Sequence, residues 1–137
     1  MVTCHRIAKV RTGVKENECD AWASLLVAYN DCSTSPYRFS KQRIQPGDRK
    51  ALKRALNGFY GLYRAYFLDE GWASASLRQL ASEDFKSARA LVGANLRTAD
   101  EKYQLDDFVG TVTYLETALS TVHDFVDELT KVVTQGG

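Results

Sequence analysis

Apolar residues between Leu105 and Val133 recur at alternating steps of three and four: Leu105, Phe108, Val112, Leu115, Leu119, Val122, Val126, Leu129 and Val133. Held over about four heptads, this a/d spacing predicts one long C-terminal helix from about Tyr103 to Val133, with the seam buried. Ala118, Phe125 and Val132 stand at g positions and widen the stripe, which suits a bundle better than a two-stranded coiled coil. The threonines and valines in this segment are mediocre helix formers, so the helix depends on packing partners more than on propensity.

A second periodic segment follows Pro46-Gly47-Asp48, a turn with a candidate N-cap carboxylate, and runs to about Leu68. Leu52, Ala55, Leu56, Phe59, Leu62, Tyr63, Tyr66 and Phe67 share its apolar face. Gly58, Gly61 and Ala65 form a small-residue strip that would let another backbone approach, and Gly71 reads as the C′ residue that ends the helix. An N-terminal helix is predicted from about Lys15 to Asn30 on Cys19, Trp22, Leu26 and Tyr29. The stretch from Trp72 to Arg97 is helical, with Leu77, Leu80, Ala81, Phe85, Ala88, Leu91 and Val92 on one face. Asp84 and Asn95 interrupt that face, and Ser82 is a candidate cap for a second helix within the stretch. The expected fold is all-α: an antiparallel bundle of four to five helices with a long C-terminal helix.

The length of 137 residues and 45% hydrophobic content fit one domain over residues 1–137, with a basic N-terminal arm at 1–14 and a basic loop at 32–47. No stretch approaches the roughly 20 apolar residues of a membrane-spanning helix, and the first residues lack the apolar run of a signal peptide. A cytoplasmic or otherwise intracellular location follows, viral origin included. Cys4, Cys19 and Cys32 are odd in number and widely spaced, so reduced thiols are expected rather than a disulfide framework.

Charge changes this picture most. Residues 1–54 hold eleven Lys/Arg against five Asp/Glu, and residues 55–137 hold seven against twelve, so the formal net charge of +1 conceals a basic half and an acidic half. Between Arg38 and Arg54, seven cations are opposed by Asp48 alone. On a helical wheel over 49–67 the polar arc holds Arg49, Lys50, Lys53, Arg54, Asn57 and Arg64, with no acid among them. Four of these cations lie in the first two turns, where the helix dipole disfavours positive charge by about 0.3–1 kcal/mol each. Something anionic should compensate. The external candidate is a phosphate backbone, which Lys and Arg neutralise with release of counterions. The internal candidate is the acidic C-terminal helix, through Asp106, Asp107, Glu116, Asp124, Asp127 and Glu128. If residues 77–97 form one continuous helix, Arg78, Lys86, Arg89 and Arg97 add a second basic stripe. Tyr37 and Phe39 interleave with Arg38, Lys41 and Arg43, where aromatics could stack on unpaired bases or plug the core.

Catalytic and metal signatures are missing from the sequence. His5 and His123 are the only histidines, and neither stands in an H-E-x-x-H or E-x-x-H pattern. His123 reads as a rim residue bonded to Asp127 one turn on. A zinc site from Cys4, His5, Cys19 and Cys32 lacks the close ligand pairs that structural zinc uses. No glycine-rich loop precedes a helix. Asp20-Ala21-Trp22-Ala23 and Phe39-Ser40-Lys41-Gln42 resemble pieces of the first helices of coat proteins from rod-shaped RNA viruses, but the later helices do not follow that family's spacing and no relationship is claimed.

The expected function is therefore that of a non-catalytic structural subunit binding nucleic acid through its backbone, RNA or single-stranded, within a larger assembly. The expected contacts are Arg38, Lys41, Arg43, Arg49, Lys50, Lys53, Arg54 and Arg64. No cofactor and no membrane partner are expected, and a homo-oligomer or protein partner is. The alternative is a small inhibitor or adaptor of a protein, such as a mobile-element antagonist of a host factor.

Overall fold

The computed structural model describes residues 13–33, 49–68 and 71–134, and within them the protein is an all-α bundle of five helices ending in a long one. α1 spans Glu16–Ser33, α2 spans Arg49–Tyr63 and continues as a π-helical turn over Arg64–Leu68, α3 spans Trp72–Leu80, α4 Ser82–Gln104 and α5 Phe108–Thr134. α4 and α5, joined by three residues, form an antiparallel hairpin with the most extensive contact in the molecule. α1 packs on α3 and α5, and α2 packs on α4 and α1.

The C-terminal seam is buried at Val112, Leu115, Val122, Val126, Leu129 and Val133, together with the flanking Ala118 and Phe125. Its threonines are accommodated by back-bonding: the hydroxyls of Thr113, Thr117, Thr121, Thr130 and Thr134 each donate to the carbonyl four residues earlier. Thr130 also accepts from the Trp22 indole at 3.0 Å, which ties α1 to α5. The seam does not extend to its first member. α4 ends at Gln104, Leu105 is 76% exposed, and Asp106 turns the chain with φ 60°. Asp is among the few non-glycine residues that tolerate this left-handed region. Asp107 then caps α5, its carboxylate accepting the Gly110 amide at 2.9 Å.

Other departures from the periodicity have local causes. The 72–97 stretch is two helices, broken at Ala81 (φ −152°, ψ 71°), with Ser82 the first helical residue and no side-chain cap. The acids Glu83 and Asp84 occupy the first turn of α4, where the helix dipole favours them. Leu91 is 54% exposed rather than on the core face. In α1 the fully buried leucine is Leu25, with Leu26 only half-buried. Gly71 is extended at φ −84° and stands at the N-cap of α3, not in the left-handed conformation of a helix stop. The proposed Asp48 cap lies outside the described residues. Cys19 is disulfide-bonded and Cys32 free, which corrects the expectation of reduced thiols. Sequence spacing says little about distance once the chain is folded. Burial, then the neighbouring Asp31, pushes the Cys32 thiol pKa up, which keeps it less nucleophilic.

Phe67, at the end of the π turn, is fully buried with its ring 5.5 Å from both Phe85 on α4 and Phe125 on α5, and 6.3 Å from Tyr63. Three elements converge on this one ring. The strip of Gly58 and Gly61 meets nothing within contact distance among the described residues, so none of their backbone uses it. Gly58→Ala and Gly61→Ala are therefore each expected to stabilise the fold by about 0.4–1 kcal/mol, seen as a higher urea midpoint with unchanged m-value. Lower midpoints would mean that something beyond the described residues packs on the strip.

Candidate nucleic-acid interface

α2 begins with Arg49 and Lys50 and has no acid in its first turn. One carboxylate comes to it from elsewhere: the left-handed Asp106 places its Oδ1 2.8 Å from Arg49 Nη1. The Arg49 guanidinium also lies over the Tyr103 and Phe108 rings, at 5.4 and 5.7 Å, and the Tyr103 hydroxyl donates to the Arg49 carbonyl at 3.3 Å. Hydrogen bonding with Tyr103, followed by the Asp106 charge, raises the Arg49 pKa. Arg49 thus serves to pin the start of α2 to the α4–α5 turn. Lys53 is half-buried, with its ammonium 5.2 Å from the Tyr103 ring centroid. Lys50, Arg54 and Arg64 are exposed, and no ion pair holds them among the described residues.

The acids of α5 are largely occupied elsewhere. Asp107 caps its own helix, Glu128 pairs with Lys131 at 3.2 Å, and Asp124 and Asp127 lie 3.5 and 3.6 Å from His123 Nδ1. The rim position read for His123 is the observed one, with the Tyr29 ring 5.6 Å away. Among the described residues, ion pairing of the basic face therefore reaches Arg49 through Asp106 and not Lys50, Arg54 or Arg64. The heptad spacing runs straight through the turn that supplies Asp106, and the Asp106-Asp107 pair is the one sequence signal that marks it.

The second basic stripe is divided. Arg78 belongs to α3 and covers the Phe85 ring at 5.4 Å, whereas Lys86, Arg89 and Arg97 remain together on α4. Arg38, Lys41, Arg43, Tyr37 and Phe39 lie outside the described residues, as does most of the basic arm. Among the described residues no group of three or more His, Cys, Asp or Glu could hold a metal ion, and no helix is long and apolar enough to cross a membrane. A groove between α1, α3 and the π turn is lined by Val27, Ala28, Tyr66 and Trp72 together with Asp20 and Asp31. No family model, curated protein or solved structure matches this chain.

Proposed function

We propose that this protein is a non-catalytic structural subunit that binds the phosphate backbone of single-stranded nucleic acid, RNA or DNA, within a larger assembly. The observation that supports this most is the outer face of α2 and its π-helical extension, where Lys50, Arg54 and Arg64 stand exposed with no ion pair among the described residues. Lys50 and Arg54 sit in the part of the helix where the dipole disfavours cations, and phosphates relieve that cost. The acidic surface of α5 would meet the basic face of a neighbouring copy, a head-to-tail arrangement that builds assemblies.

Anisotropy of labelled single-stranded RNA and DNA, titrated from about 50 to 200 mM salt, tests the reading, because backbone binding gives a linear fall of log K with log salt and little base preference. No binding at the low-salt end would remove it. The second reading is an adaptor or inhibitor of a protein, favoured by the 53% exposed Trp72 and 39% exposed Val27 in the groove between α1, α3 and the π turn. Such a protein would ignore oligonucleotides and heparin.

A further inference from the structure

α2 and α4 pack in an antiparallel register that is traceable through contacts along their length. Arg49 meets Tyr103 and Asp106, Lys53 meets Tyr103, and Tyr63 meets Gly93. The Tyr63 hydroxyl occupies the space that a Cβ on residue 93 would fill, so a glycine there sets how closely the two helices approach. Lys53 and Tyr60 of α2 and Arg64 of the π turn line a depression together with Asp100 of α4, and Tyr63 and Leu68 line another with Lys86, Arg89 and Arg97. The hydroxyl pKa of Tyr60, in the first depression, is raised by burial and by Asp100, and held back by Arg97 and Arg64.

We propose that the phosphate backbone lies along this groove between α2 and α4, with Lys53 and Arg64 on one wall and Lys86, Arg89 and Arg97 on the other. The inference rests on the nucleic-acid reading and gives it a place on the molecule. Cations on two facing walls raise the local potential more than one exposed helix face does, because the low-dielectric floor focuses the field. Arg64, Arg89 and Arg97 are exposed and free of ion pairs among the described residues. Lys86 has only Glu83 at 3.9 Å, both side chains being well exposed, a pairing that contributes little. Among the described residues, Asp100 is the one carboxylate lining the groove. From Lys86 to Arg97 the α4 wall runs about 16 Å at 1.5 Å per residue. At about 3.4 Å per nucleotide of a stacked strand, that length spans about five nucleotides. It falls within the roughly 4–16 nucleotides that single-strand sites occupy. Gly61 leaves the α2 wall open between Lys53 and Arg64, and the half-buried Tyr60 can donate its hydroxyl to a phosphate oxygen there.

The test uses the intact chain and a single-stranded oligonucleotide, comparing Arg89→Gln/Arg97→Gln with the equal-charge control Lys15→Gln/Lys131→Gln. Two lost phosphate contacts should reduce the slope of log K against log salt by about 1.4 units, about 25-fold in affinity near 0.1 M salt, and the control should change it far less. Asp100→Asn should tighten binding, an effect that structural damage does not produce. Thermal melts verify folding, and Lys86→Gln/Arg89→Gln, both exposed, replaces the double variant if Arg97→Gln unfolds. If the wild type binds but Arg89→Gln/Arg97→Gln follows the control, the groove is wrong while the nucleic-acid reading stands. If the wild type does not bind at low salt, both fall.

Discussion

Phe67→Ala should destabilise the fold by about 3–5 kcal/mol, the range for removing a fully buried aromatic ring. Its ring is inaccessible to solvent and contacts aromatics on two other helices, Phe85 and Phe125, as well as Tyr63 on α2. The void left by alanine would be bounded by rigid rings on three sides, so collapse of the surroundings could recover little of the loss. A domain with about 5–15 kcal/mol of stability would lose a large part of it. Urea denaturation followed by circular dichroism measures the change. Leu115→Ala, at a site 1% exposed, should fall in the range of about 2–5 kcal/mol. Leu119→Ala should lie below it, because Leu119 is only half-buried at the edge of the core. Equal losses at Leu119 and Phe67 would mean that the Leu119 face is covered by something beyond the described residues.

Replacing Lys50, Lys53 and Arg54 together by Gln should lower affinity for single-stranded nucleic acid by about 10²-fold near 0.1 M salt. Single strands contribute about 0.7 units of slope per neutralised phosphate, so three lost contacts flatten the salt dependence by about two units. Folding should survive. Lys50 and Arg54 are exposed, and Lys53 loses only a cation–π contact with Tyr103, worth about 0.5–1 kcal/mol at a site of this kind. Arg49 is left in place because its pairing with Asp106 holds α2 against the α4–α5 turn. An unchanged slope in this variant, with thermal melting intact, would exclude the α2 face as the contact surface.

The C-terminal helix, the basic face of α2 and the rim position of His123 were legible from residue order alone. Each depends on spacing along one helix, and a period of 3.6 residues sorts side chains onto faces whatever the helix packs against. The same periodicity read too far at Leu105, because a heptad pattern carries no mark for a chain reversal. That reversal depends on Asp106 adopting a left-handed conformation and pairing with Arg49 from another helix. The break at Ala81, the burial of Leu25 in preference to Leu26, and the open strip at Gly58 and Gly61 were decided in the same way, by which neighbours the packed helices supply. The basic composition of α2 was written in the sequence. Which of its cations remain exposed was decided by tertiary structure, since Asp106 reaches Arg49 and the other engaged acids of α5 turn toward their own helix. The convergence of Arg64 with Arg89 and Arg97 along one groove likewise depends on the antiparallel register of α2 and α4, set in part by Gly93 making room for Tyr63. Register between two helices is a property of the packed pair, and neither strand of residues contains it alone.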